Sequence, residues 1–292
     1  MEVYAAFSQF SDIFCISLKL NKERREHIKK EFARVGIPAY HFIDAYDKSS
    51  KEANEIYHSD YVAKFPPCFR CGKKECNCEN KSLFRPQIGN WLSHISAWRS
   101  VTADSPYLVL ICEDDVKFMD SINDSLQLVA ESEEINNCLE RAEPVLIRFG
   151  WALCVDHQNN NPPRLTRQIK MANPCYAINA ATSNLLLSSL KEIKTTSDIY
   201  VHEIIGSNIN HYTLMPPPAY ELSWSTGELL SEIRPKQKRV EHLRQILDNT
   251  VQSEPRYQVI EALFERELHR LDQYEEFNES PITNYWNKFD LI

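Results

Sequence analysis

The sequence predicts an α/β protein whose strands run mainly parallel, and three observations carry that expectation. The chain opens with a strand–helix–strand unit of about 30 residues, the length of a crossover between parallel strands. Residues Leu108 to Cys112, "LVLIC", are apolar without alternation, as in a strand covered on both faces. Two acidic features, Asp44 and the run Glu113-Asp114-Asp115, follow directly on predicted strands, where open α/β sheets bind their ligands.

Ile13 to Leu18 reads as the first strand. Asn21 then stands as the N-cap of a helix through Val35, with Ile28, Phe32 and Val35 at helical spacing and Gly36 and Pro38 closing it. Ala39 to Ile43 is the second extended stretch. In Gln87 to Trp98, "QIGNWLSHISAW", Trp91, His94 and Trp98 share one helical stripe and Ile88, Leu92 and Ile95 share its neighbour. Val145 to Phe149 and Tyr176 to Ile178 read as further strands, with a helix over Thr182 to Lys191 behind the second. From Glu228 onward charged residues dominate. Val240, Leu243, Ile246 and Leu247, and again Val259, Ile260, Leu263, Phe264 and Leu271, keep helical spacing. This predicts two tail helices packed on the domain or, in a homodimer, on a second subunit. The sequence contains no internal repeat and no low-complexity segment.

With 292 residues, 43% of them hydrophobic and 25% charged, the chain is that of an ordinary globular protein with a sizeable core. A formal net charge of -8 excludes a general nucleic-acid binder, and the short basic run Arg234 to Arg239 is a solvated face. Met1 to Phe10 has no basic start followed by an apolar stretch, and no apolar run reaches the roughly 20 residues of a membrane span. The expected location is therefore cytoplasmic, at most against the inner face of a membrane. Of nine cysteines, Cys15, Cys112, Cys154 and Cys175 sit singly in apolar surroundings and suit reduced, buried thiols. None of the six glycines forms a Gly-rich phosphate cradle.

Three adjacent carboxylates repel one another, so they must be solvated, paired or bound to a cation. In extended backbone Glu113 and Asp115 point one way and Asp114 the other. Two carboxylates on one face past a buried strand suit Mg²⁺ or Mn²⁺; a solvated acidic turn, or caps for a following helix, is the competing reading. His94 alone reads as a hydrogen-bonded core histidine. "CFRCGKKECNC" places Cys68, Cys71, Cys76 and Cys78 in one polar segment, residues 62–84, that lacks a core of its own. Four thiolates there suit a structural Zn²⁺, with free or redox-active thiols as the alternative. Such a site is distinct from the acidic one, because thiolates select zinc and carboxylates select Mn²⁺ or Mg²⁺.

The order "IFCISLKLNKERREHIKKEFARVGI", "FIDAYD", "QIGNWLSHISAW", "YLVLICEDDVKF" and "NPCYAINAATSNLLL" followed by Asp198 resembles glycosyltransferase family 25. That family includes bacterial lipopolysaccharide β-galactosyltransferases and procollagen galactosyltransferases. The resemblance covers residues 12–226 and is most specific at the helix-plus-EDD pair. It implies a GT-A fold, a Rossmann-like mixed and mainly parallel sheet flanked by helices; with the composition change at Glu228, the chain divides into a domain over 1–227 and a helical extension over 228–292. It also implies a nucleotide-sugar donor, commonly UDP-galactose or UDP-glucose, and an acid motif equivalent to the DxD that binds donor and Mn²⁺.

On that reading Asp115 and Glu113 hold the metal, while Asp114, Asp44, Arg25 and His94 contact the donor. Asp198 takes the acceptor hydroxyl's proton in an inverting transfer, and Glu203 is the second choice for that base. His202 and His211 are further candidates for metal or acceptor contacts. The acceptor is a hydroxyl on a glycan, a lipid-linked glycan or a protein. The four-cysteine segment departs from the family pattern. It supports a rival expectation, a catalytically silent GT-A scaffold that binds a partner through that loop.

Overall fold

The computed structural model describes residues 7–63, 83, 85–102, 107–151, 161–223, 228–229, 231, 236–253 and 255–272. Its first half holds strands β1 (Phe10–Ser17), β2 (His41–Asp44), β3 (Leu108–Glu113), β4 (Val116–Phe118) and β5 (Val145–Arg148). Between them lie helices α1 (Lys22–Val35), α2 (Lys51–His58), α3 (Arg85–Arg99), α4 (Ile122–Ala130) and α5 (Glu133–Glu140). Then come β6 (Arg164–Thr166), β7 (Cys175–Ile178), α6 (Ala180–Ser189), a π-helical segment Ile199–Ile205, β8 (Asn210–Met215), β9 (Ala219–Glu221), α7 (Lys236–Asp248) and α8 (Pro255–Asp272).

Seven strands form one sheet in the order β2-β1-β3-β7-β5-β8-β6, and β4 pairs with β9 in a second sheet of two. β1 runs parallel to β2 and β3, and β5 runs parallel to β8. β7 is antiparallel to both β3 and β5, and β6 is antiparallel to β8. The main sheet is therefore mixed, with five strands pointing one way. The sequence read Tyr176 to Ile178 as a further strand without a direction; direction was illegible there because β7 is buried along its whole length, as a parallel strand would be.

The period-two rule sorts β1 and β3 onto two cores. Ile13, Cys15, Leu108, Leu110 and Cys112 face Ile28, Phe32 and Val35 of α1 and the apolar side of α4 and α5. Phe14, Ile16, Val109 and Ile111 face Trp91, Ile95 and Trp98 of α3, with Leu186 of α6. Each fully buried aliphatic or aromatic side chain contributes about 1.5–3 kcal/mol, so the sheet is held between two helical layers.

Local chemistry fixes α1. The Asn21 side chain accepts from Arg24 N, and Gly36 ends the helix at φ 81°, a left-handed conformation that glycine adopts without strain. Gly89, inside α3, has a different reason: a Cβ there would lie 2.4 Å from the carbonyl oxygen of Tyr46. The loop after β2 is thereby pressed onto α3, where Tyr46 N donates to Ser93 Oγ at 2.9 Å.

Cys15, Cys112 and Cys175 are buried free thiols, as is Cys138. Cys154 and the four cysteines at 68, 71, 76 and 78 lie outside the described residues. In the tail α7 and α8 pack together around Leu243, Ile260 and Leu263, with Ile246, Leu247 and Phe264 alongside, at the spacing read from the sequence. Among the described residues no helix is long and apolar enough to cross a membrane.

Candidate active site

β3 delivers the acidic run to the carboxyl-terminal edge of the sheet. Glu113 is its last residue, while Asp114 and Asp115 form a turn into β4. This corrects the expectation of extended backbone through all three acids: the chain must leave the main sheet here so that β4 can pair with β9. The side chains nevertheless divide as expected. Asp114 turns toward α1, and Glu113 and Asp115 turn toward each other.

Asp114 is buried and fully engaged. Its Oδ1 lies 2.6 Å from the Arg24 guanidinium, and its Oδ2 accepts from Ser17 Oγ at 2.7 Å. Burial raises the Asp114 carboxyl above the usual carboxylate range, and Arg24 opposes that rise. Arg24 also stands 3.6 Å from Asp115 Oδ2. Asp115 is 3% exposed, and its Oδ1 has no hydrogen-bond partner.

Glu113 Oε1 accepts from Asn90 Nδ2 at 3.0 Å and from His94 Nε2 at 3.1 Å. Burial, then the nearby Asp115 charge, pushes its carboxyl up to about 8. His94 is completely buried, which lowers its imidazole to about 4 and keeps it neutral. Trp98 Nε1 donates to Tyr176 Oη at 2.8 Å, and Tyr176 Oη pairs with His94 Nδ1 at 3.0 Å. With the proton on Nε2, the tautomer in which Glu113 accepts, the Tyr176 hydroxyl donates to Nδ1. His94 is thus a hydrogen-bonded core histidine aimed at an acid.

A third carboxylate completes the cluster. Oxygens of Glu113, Asp115 and Glu221 all lie within 4.8 Å of one another. Glu221 is the last residue of β9, opposite Val116 of β4, and the next residue's N–H donates to the Asp115 carbonyl at 2.7 Å. The sequence reading missed it, because a three-residue strand carries no usable periodicity.

The other candidates fall around this centre. Asp198 precedes the π-helical segment, and its Oδ2 accepts from Ala172 N at 3.2 Å. Ala172 takes φ 76° to present that N–H, a conformation costing an L-residue about 1–2 kcal/mol. The neighbouring Ser197 donates to Asn90 Oδ1 at 2.6 Å, and Asn90 in turn holds Glu113. Asp198 therefore belongs to the same edge as the acidic run. Glu203 is in the π-helical segment, and its side chain is outside the described residues.

Asp44 and Arg25 meet each other, with Arg25 NH2 2.5 Å from Asp44 Oδ1 and also donating to Ser17 O at 3.1 Å. Arg24, passed over in the sequence, is the residue that holds the acids. It shares the helical stripe of Ile28, Phe32 and Val35, which was the available signal.

His202 and His211 both serve a completely buried arginine. Arg148 donates from Nε to His202 Nδ1 and from NH1 to His211 Nδ1, each at 3.0 Å, and from NH2 to His202 O at 3.0 Å. Burial lowers both imidazoles, His211 to about 4, and the Arg148 charge adds to the effect. They are acceptors for a cation, which sets them apart from the carboxylate cluster.

A family model described as "Glycosyltransferase family 25 (LPS biosynthesis protein)" matches residues 10–201. The chain is 30% identical over 137 residues to a Haemophilus influenzae protein named "Lipooligosaccharide biosynthesis protein lic2B", covering 47% of this chain and 44% of that one. It is 27% identical over 109 residues to "Procollagen galactosyltransferase 1-A" of Xenopus laevis, covering 37% and 16%. To "Inactive glycosyltransferase 25 family member 3" of Mus musculus it is 26% identical over 124 residues, covering 42% and 19%. The chain thus spans less than half the length of each of these relatives.

Proposed function

Since the chain belongs to glycosyltransferase family 25, we propose that it moves a hexose, galactose or glucose, from a UDP-sugar to a hydroxyl on a glycan, lipooligosaccharide or protein. The donor site is the edge where β3 ends, and a divalent cation, Mn²⁺ or Mg²⁺, is held by Asp115 and Glu113. One observation carries this reading: Asp115 is buried with a carboxylate oxygen that has no hydrogen-bond partner, beside a second carboxylate. A buried orphan of that kind is costly unless something binds it.

When bound, the cation supplies counter-charge to the diphosphate leaving group, where negative charge grows as the sugar bond breaks. The chain's own residues prepare the place. Arg24 holds Asp114 at 2.6 Å and approaches Asp115 through Oδ2 at 3.6 Å, so that Asp115 Oδ1 and Glu113 are left to the cation. Asn90 and the His94–Tyr176–Trp98 series orient Glu113. Asp198, steadied by the Ala172 N–H, takes the acceptor's proton, with Glu203 as the second choice. We assign the transferase unit to residues 1–227 and the helical extension to 228–292.

The test is binding of a nucleotide-sugar panel by calorimetry, with and without Mn²⁺, on wild type and Asp115→Asn. Mn²⁺-dependent binding of a UDP-sugar that Asp115→Asn loses is the expected result; near-normal turnover in that variant would sink the metal role. A relative named inactive favours a second reading, a silent scaffold that binds a partner through a zinc loop at Cys68, Cys71, Cys76 and Cys78. Absence of binding to every donor would select it. The zinc assignment is tested separately by metal content and thiol titration, and four freely titratable thiols in untreated protein would overturn it.

A further inference from the structure

We propose that Glu221 is the third protein ligand of the cation, placed against Asp115 by the small β4–β9 sheet. The inference rests on the metal reading above and extends it to a residue beyond the segment that the family model matches.

The geometry is specific. Val116 pairs with Glu221 in the antiparallel ladder, and Leu222 N donates to the carbonyl of Asp115 at 2.7 Å. The backbones on either side of the two carboxylates are therefore tied together. Glu221 is 9% exposed, so its charge is largely withheld from water. Its ligand oxygen lies within 4.8 Å of those of Glu113 and Asp115.

Three carboxylates at that separation repel one another, and Arg24, which is 2.6 Å from a fourth acid, Asp114, stands 3.6 Å from Asp115 Oδ2. Asp115 is almost wholly buried and keeps one oxygen without a partner. An all-oxygen set of three carboxylates, one of them short of a hydrogen bond, suits a hard divalent ion at about 2.0–2.6 Å from each ligand. Three such ligands leave coordination positions open for diphosphate oxygens.

The experiment is titration with Mn²⁺ alone and Mn²⁺ with UDP, read by the paramagnetic resonance of free Mn²⁺, on wild type, Glu221→Gln and Asp115→Asn. Thermal unfolding of each metal-free protein runs alongside. Loss of an outer-shell partner alone typically weakens a metal site about 10–100-fold, so Glu221→Gln is expected to weaken Mn²⁺ at least about tenfold. Without metal that variant should melt at or above the wild-type temperature, because one repelling charge is gone.

Wild-type Mn²⁺ affinity in Glu221→Gln, with affinity lost in Asp115→Asn, would overturn the role of Glu221 and leave the two-ligand reading standing. A metal-free Glu221→Gln that melts well below wild type would mark Glu221 as a structural residue and overturn the proposal too. A wild-type protein that takes up no Mn²⁺ under either condition would overturn both readings.

Discussion

The Arg24 guanidinium lies 2.6 Å from Asp114 Oδ1, and both side chains are about nine-tenths buried. That pair anchors α1 to the acidic turn at the end of β3. Replacing Arg24 by Met leaves a buried carboxylate uncompensated, and removing one partner of a buried pair costs about 3–5 kcal/mol. Urea unfolding should show that loss, and the double variant Arg24→Met with Asp114→Leu should recover much of it. Equal losses in the single and double variants would mean that the pair is not what holds the turn.

Tyr176→Phe removes one oxygen and leaves two buried groups, Trp98 Nε1 and His94 Nδ1, without their partner. An unsatisfied buried polar group costs about 1–3 kcal/mol, so stability should fall in that range. Because the His94 ring then loses its orientation toward Glu113, turnover should fall more than donor affinity. Steady-state kinetics with unchanged turnover would refute the orienting role.

Gly89→Ala tests the contact between the loop after β2 and α3. In most helices this change raises stability, since alanine is the better helix former. Here the new Cβ would meet the Tyr46 carbonyl at 2.4 Å, so one backbone must shift. A lower melting temperature is expected, together with weaker protection of the Tyr46 amide from hydrogen exchange. A stabilised variant would contradict the close approach.

Acid should weaken the fold through His202 and His211. Their folded-state values are lowered by burial and by Arg148, with Arg167 acting on His211 and His94 on His202. A depressed value means that the unfolded chain binds the proton first. This stability is present above the ordinary histidine value near 6.5. It is lost as pH falls from there toward about 4, the value of His211. Denaturant midpoints measured from pH 7.5 to 4.5 should fall in that window, and less steeply in His202→Gln.

The sequence made the sheet edge legible where burial was strong. β3 announced itself by an uninterrupted apolar run, α1 by its cap and stripe, and the acids by their position after both. Adjacent arginines were harder, because helical phase alone separates Arg24, turned inward, from Arg25, which pairs with the more exposed Asp44. Glu221 carried no local signal at all. Its partner in space is set by a short strand pairing, and long-range pairing of that kind cannot be read from a window of sequence. The direction of β7 was hidden for the opposite reason: complete burial erases the alternation that would mark one face. Asp198 was found through the family resemblance, and its tie to Ala172 depends on a left-handed alanine that no propensity favours.

The pairing of β4 with β9 has a consequence for how the chain acquires its chemistry. Val116 to Phe118 follow directly on the acidic turn, yet they cannot find their ladder until Ala219 to Glu221 have been made and brought back across the whole α/β body. Closing so long a loop carries an entropic cost that the rest of the core must first offset. A nascent chain that stops short of Ala219 can still bury β3 against α1, but it leaves the Asp115 carbonyl without the Leu222 N–H. Folding of the scaffold and closure of the acidic turn are then separate events, the second waiting on β9.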